Sequence, residues 1–181
     1  MPDTTEYRGY TIKIKPDQYP EDPRRECDEL GTMVCFHNRH ALGDTHKFTT
    51  KTIQQLVKRR DVIALPLYLL DHSGITMRTT PFQCPWDSGQ VGFIFITKEA
   101  IRKEFNVSRV SPNLKKHVTR RLRGEVETYN HFLTGDVYCY EVFNNKGDLV
   151  ESVCGYYGYD HEKSGLMVSA RAAVDYDIKK R

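Results

Sequence analysis

Nothing in the sequence marks it for a membrane or for export. No apolar run approaches the roughly 18–20 residues that cross a bilayer. The opening residues MPDTTEYRGY have neither the basic flank nor the apolar core of a signal peptide. The expectation is a cytoplasmic protein. A glycine-rich phosphate loop, a Walker motif and a dinucleotide fingerprint are missing, and no cofactor is expected. Cysteine is scarce: Cys27, Cys35, Cys84, Cys139 and Cys154 make an odd number with no C-x-x-C spacing. Three of them lie in apolar, strand-like runs, which fits small buried thiols in a reducing compartment rather than a disulfide scaffold. No paired-carboxylate constellation, internal repeat or low-complexity linker is present.

What is there fits one globular domain spanning residues 1–181, with 39% hydrophobic and 28% charged residues. Residues 7–15 alternate as a strand, and 1–6 and 16–30 read as flexible or loop segments. GTMVCFH (31–37) is a short strand, and 50–60 is a helix with Ile53, Leu56 and Val57 on one face. VIALPLYLL (62–70) is a nearly continuous apolar strand whose Pro66 favours an edge or a bulge. A strand over 90–97 and a short helix over 98–105 follow. Ser111-Pro112 then starts a long helix, striped by Leu114, Val118, Leu122, Val126, Tyr129 and Leu133 and stopped by Gly135. Strands 135–143 and 148–158 form a hairpin, and 165–178 is the closing helix. This order predicts an α+β fold: a single mixed or antiparallel sheet of about five to six strands with three to four helices packed on it.

Residues 69–95, LLDHSGITMRTTPFQCPWDSGQVGFIF, carry the side chains of nucleophilic catalysis. If strands 62–70 and 90–97 pair, Asp71, His72, Asp87 and Ser88 meet at one end of the sheet. Asp87, His72 and Ser88 or Cys84 then make an acid–base–nucleophile set. Turn chemistry explains the same residues more simply, since Asp and Ser bond nearby backbone N–H groups and Gly takes positive φ. No nucleophile elbow is present. Asp71, His72, Asp87 and Ser88 are therefore read as a structural polar cluster, and no catalytic residue is assigned. Trp86, the single tryptophan, either packs over the sheet end or anchors a partner. Cys35, His37, His40 and His46 lack a recognisable zinc spacing, and Arg39 beside them opposes a cation, so no metal is expected.

The positive charge is concentrated. From Lys98 to Gly124 there are nine Lys and Arg against two Glu, a local +7 in a chain of net +3, which leaves −4 for the remainder. Lys115, Lys116, Arg120, Arg121 and Arg123 fall in the first half of the long helix, and Lys116, Arg120 and Arg123 share a face. Such a stripe tracks phosphates, and cations near a helix N-terminus oppose its macrodipole. A solvated face with pairs such as Arg121–Glu125 is the structural alternative. The hairpin is rich in tyrosine, and Tyr138 and Tyr140 are assigned to partner contact by stacking, against a plain β-propensity explanation.

The strings GTMVCFHNRHALGD, LPLYLLDHSGITMRTTPFQCPWDSGQVGFIFITKE, RGEVETYNHFLTGDVYCYEV and CGYYGYD resemble a family of small proteins carried by phages, plasmids and integrated elements of gut bacteria. The resemblance covers the chain from about residue 24 onward, and departs at His40-Ala41. It implies an anti-defence protein, an anti-CRISPR inhibitor of the type II effector Cas9. The expected partners are the Cas9–guide RNA complex and DNA or RNA through the basic helix. A homodimer is also open, and no membrane is involved. The rival expectations are a DNA-binding regulator of the mobile element and a hydrolase built on residues 71–88.

Overall fold

Apolar residues at every second position of 10–14 and 138–142 define strands with one covered face, and the 3.6-residue stripe over 114–133 defines a helix with one buried side. The computed structural model describes residues 3–26, 28–84 and 86–180. Its elements are β1 (Asp3–Tyr7), β2 (Tyr10–Pro16), α1 (Pro23–Glu26), β3 (Thr32–Cys35), α2 (Thr50–Leu56), β4 (Val62–Asp71), β5 (Ile75–Arg78) and β6 (Ser88–Thr97). They continue with α3 (Lys98–Glu104), α4 (Pro112–Thr134), β7 (Val137–Phe143), β8 (Leu149–Tyr157) and α5 (Leu166–Lys180). No described helix is long and apolar enough to cross a membrane. The chain divides into two compact units: Met1–Glu21 with Thr134–Arg181, and Asp22–Leu133.

The first unit is an antiparallel sheet in the order β1-β2-β7-β8. Arg8 and Gly9 both take positive φ (51° and 77°), the backbone of a tight two-residue hairpin turn joining β1 to β2. Ile12, Ile14, Tyr140 and Val142 meet Leu166, Ala170 and Val174 of α5 in a fully buried cluster. Each such aliphatic side chain contributes about 1.5–3 kcal/mol by leaving water. The β7–β8 register shifts between Tyr138 and Tyr140. Gly155 at φ 88° supplies the left-handed residue that this bulge requires.

The second unit is an antiparallel sheet in the order β3-β6-β4-β5, covered on both faces. Met33, Ile63, Leu67, Ile94 and Ile96 pack against Val118, Leu122 and Val126 of α4. The alternate residues Val34 and Phe95 pack against Ile53 of α2. Gly92 is required where β6 crosses β3, because a Cβ there would sit 1.9 Å from the Val34 carbonyl oxygen. β5 pairs only with Tyr68–Asp71, so Pro66 lies where β4 is an edge on that side, next to a register shift at Leu67/Tyr68.

A buried ionic network ties this unit together. The Arg24 guanidinium, 2% exposed, donates from Nε to Asp44 Oδ1 and from Nη2 to Asp44 Oδ2, both at 2.8 Å. It also donates to the Gly31 carbonyl (2.6 Å) and to Glu125 Oε2 (3.2 Å). Glu125 on α4 accepts the backbone N–H groups of Leu30 (3.0 Å) and Gly31 (3.1 Å). Asp44 Oδ2 accepts that of Met33 at 2.8 Å. Tyr129 accepts the N–H of Gly43 at 2.9 Å, and burial pushes its phenol up to about 12. Glu29 faces the same network, where burial first and the neighbouring Glu125 carboxylate second push its carboxyl up to about 7.

Four expectations are corrected. The fold is α+β, but among the described residues eight strands form two antiparallel sheets of four, with five helices, rather than one sheet of five to six strands with three to four helices. Local turn signals specify hairpins; which hairpins join is decided by partners far apart in the chain, such as Ile12 with Val142. Residues 3–7 are a paired strand rather than a loose terminus, because the Arg8-Gly9 turn folds them back onto β2. Within 16–30, residues 23–26 form α1, started by Asp22 Oδ1 accepting the Arg24 N–H at 2.9 Å. Cys139 and Cys154 are disulfide-bonded, since the register shift at Val142/Phe143 brings them opposite each other. Cys35 is a free buried thiol pushed up to about 12 by burial.

Removing Arg24 leaves two carboxylates without their cation, so Arg24→Ala should destabilise the protein by about 3–5 kcal/mol in urea unfolding. A loss under about 1 kcal/mol, the range of a surface pair, would contradict the network. Glu29 has a folded pKa above its ordinary 4.5. Its contribution is therefore fully present below about 4.5 and is lost as pH rises through about 7. Glu29→Gln should be more stable than wild type at about pH 8, with the gap closing toward about pH 5. A gap independent of pH sinks this assignment.

Candidate nucleic-acid interface

α4 presents its cations because its other side is committed. Ser111 caps it, accepting the Leu114 N–H at 3.2 Å, and Pro112 opens it. Val118, Leu122, Glu125, Val126 and Tyr129 are buried. At 100° per residue Glu125 lies opposite Lys116, so its burial puts Lys116, Arg120 and Arg123 outward. Lys115, Lys116, Thr119, Arg120 and Arg123 line one shallow cleft. All four of these cations are exposed. Among the described residues none of them forms an ion pair, whereas Arg121 stands 3.8 Å from Glu125. No acid occupies the first turn. The positive charge thus has no acid within the first half of the helix, the exposed Glu127 being the next on that face, and cations placed against the macrodipole cost about 0.3–1 kcal/mol each where they fall within the first turn.

The sequence-assigned tyrosines are not at a free surface. Tyr140 is 2% exposed, and its hydroxyl donates to Glu151 Oε2 at 3.0 Å. Burial and that carboxylate raise its pKa. Tyr138 is half-buried, edge-on to His161 at 4.7 Å. Positions 138, 140 and 142 alternate onto the α5 side of the sheet, which withdraws them as stacking platforms. Trp86 does not pack over the sheet end: it is 92% exposed.

Asp71, His72, Asp87 and Ser88 converge as β4 and β6 pair, with the Asp71 N–H on the Asp87 carbonyl at 2.9 Å. His72 Nδ1 lies 3.2 Å from Asp87 Oδ2, and the Cys84 thiol points at the same oxygen from 3.7 Å. The carboxylate therefore stands between imidazole and thiol, whereas a nucleophile–base–acid triad needs the imidazole in the middle. The Ser88 hydroxyl donates to the Cys84 carbonyl, closing a turn.

Asp71 gathers a second group that sequence reading missed. Arg39 Nη2 holds Asp71 Oδ2 at 2.6 Å. His37 and His40 place Nε2 3.7 and 3.6 Å from that oxygen. The three donor sets lie within 4.8 Å of one another. Their arrangement suits a carboxylate clamped by N–H donors. The imidazoles stack at 5.1 Å and 14°, whereas a metal must lie in the plane of each ring it binds. His37 Nδ1 faces the N–H groups of Arg39 (3.4 Å) and His40 (3.2 Å), which favours the tautomer with the proton on Nε2, and Arg39 occupies the carboxylate. Cys35 and His46 stand apart from this group: Cys35 points into the core, and His46 Nε2 contacts the Cys35 carbonyl at 3.0 Å.

No family model, curated protein or solved structure matches this chain.

The exposure of Trp86 is directly measurable. Its fluorescence should match that of free tryptophan and be quenched fully by iodide. A blue-shifted, iodide-resistant emission would mean that the indole is covered.

Proposed function

We propose that this chain is a non-catalytic nucleic-acid-binding protein that grips phosphates with Lys115, Lys116, Arg120 and Arg123 of α4. Four exposed, unpaired cations around one cleft carry this reading. Phosphate contacts of this kind bind through counter-ion release and are strongly salt-dependent. Combined with the motifs that resemble mobile-element proteins, the reading becomes an anti-defence protein acting in the bacterial cytoplasm on the Cas9–guide RNA effector. The nucleic-acid channels of such effectors are themselves positive, so an inhibitor with a cationic contact face does not act as a DNA mimic. It contacts guide RNA or DNA instead, and blocks target binding or cleavage stoichiometrically. Trp86, exposed in a polar setting, is the candidate anchor on protein.

The test uses the variant Lys116→Glu/Arg120→Glu/Arg123→Glu, which leaves Arg121 beside Glu125. Wild-type affinity for a labelled duplex should fall with salt with a log–log slope of about −3 to −4, for roughly four phosphates neutralised. The variant should lose measurable binding while keeping its melting temperature. In a cleavage assay with purified Cas9–guide RNA, inhibition should saturate near equimolar protein. Unchanged binding by the variant removes α4 from the interface. Salt-sensitive duplex binding without inhibition points to a regulator of the element, and inhibition by substoichiometric protein points to the hydrolase.

A further inference from the structure

Most glycines here have a reason inside the chain. Gly9, Gly43, Gly74, Gly135, Gly147, Gly155 and Gly165 take positive φ, and a side chain at Gly31 or Gly92 would collide with Leu122 or Val34. Gly124 has neither reason. It lies mid-helix in α4, is exposed, and a Cβ there would meet nothing within 4 Å. Glycine is the poorest helix former after proline, so the fold would be better served by almost any other residue. Gly89 also has open space around it, but it immediately follows the turn into β6.

The position of Gly124 on the helix supplies what the fold does not. At 100° per residue it falls on the outward side, one turn after Arg120 and beside Arg123. Helical side chains lean toward the N-terminus. A side chain at 124 would therefore project toward the turn that carries Arg120 and Arg121. From Lys116 to Arg123 the helix rises about 10 Å. The cations thus form a row that reaches the bare backbone of Gly124, with the exposed Glu127 one turn after Arg123 on the same face.

We propose that Gly124 is the close-approach point of this interface: the sugar–phosphate backbone of a nucleic-acid strand lies against the helix at Gly124, with Arg120, Arg121 and Arg123 closing around it. This rests on reading α4 as a phosphate-binding face and adds a steric requirement to an electrostatic one. A glycine kept for backbone approach has precedent in sites where a ligand must touch the main chain.

The experiment compares wild type, Gly124→Ala, Gly124→Gln and the triple charge reversal Lys116→Glu/Arg120→Glu/Arg123→Glu. It measures melting temperature and affinity for labelled single-stranded and duplex oligonucleotides. Gly124→Ala should raise the melting temperature by about 2–4 °C and yet weaken binding. Gly124→Gln should weaken it about tenfold, the loss of one charge-assisted contact. Wild-type affinity in both glycine variants, with binding abolished by the charge reversal, overturns the close approach and keeps the phosphate face. Undiminished binding by the charge-reversed protein overturns the face itself, and this inference with it. A lowered melting temperature in Gly124→Ala would show that the chain itself needs the glycine, and would also overturn it.

Discussion

The buried guanidinium of Arg24 is the constraint on which the second unit depends. A lone charge in that position is prohibitively costly. Arg24 is tolerable only because Asp44 meets it with two parallel hydrogen bonds while Glu125 and the Gly31 carbonyl take its remaining donors. Those acceptors come from three separate places in the chain. The network therefore fixes the α1 loop, the loop after β3 and the roll of α4 together. Buried ion pairs often add little net stability compared with apolar packing; what this one supplies is a unique arrangement. With Glu125 turned inward, Lys116, Arg120 and Arg123 have to face water.

That orientation links the fold to the proposed role. A helix amphipathic in the usual way presents mixed charges on its exposed side and gains small increments from i, i+4 pairs. The first half of α4 instead presents cations with no acid among them, and its first turn, where the helix dipole favours acids, holds Lys115. Glycine stands beside them where alanine would suit the helix better. Each of these choices works slightly against stability, and all three share one surface. Local departures from what stability favours are most economically explained by a binding surface.

The parts of this fold that were legible in the sequence were the local ones. α4 could be read because Leu114, Val118, Leu122, Val126 and Tyr129 repeat a 3.6-residue period over about four turns. The β7–β8 hairpin could be read from alternation on either side of Asn-Asn-Lys-Gly. The grouping of strands into two sheets could not: it depends on β2 finding β7 across more than a hundred residues. Tyr140 looked like a contact residue because alternation shows that one face is covered without showing which. Glu125 looked like the surface partner of Arg121, a contact it does make at 3.8 Å. Its main task, accepting Arg24 and two backbone N–H groups, involves residues about a hundred positions away. The Cys139–Cys154 bond was hidden by a one-residue bulge, which shifts the pairing that the hairpin spacing implies.

The most direct measurement is a lysine footprint. The protein is acetylated briefly with and without a duplex oligonucleotide and read out by peptide mass spectrometry. Lys115 and Lys116 should be strongly protected, with Lys51 and Lys146, exposed in regions outside α4, modified equally in both samples. Unprotected Lys115 and Lys116 under conditions where the duplex is bound would place the interface elsewhere and contradict the account.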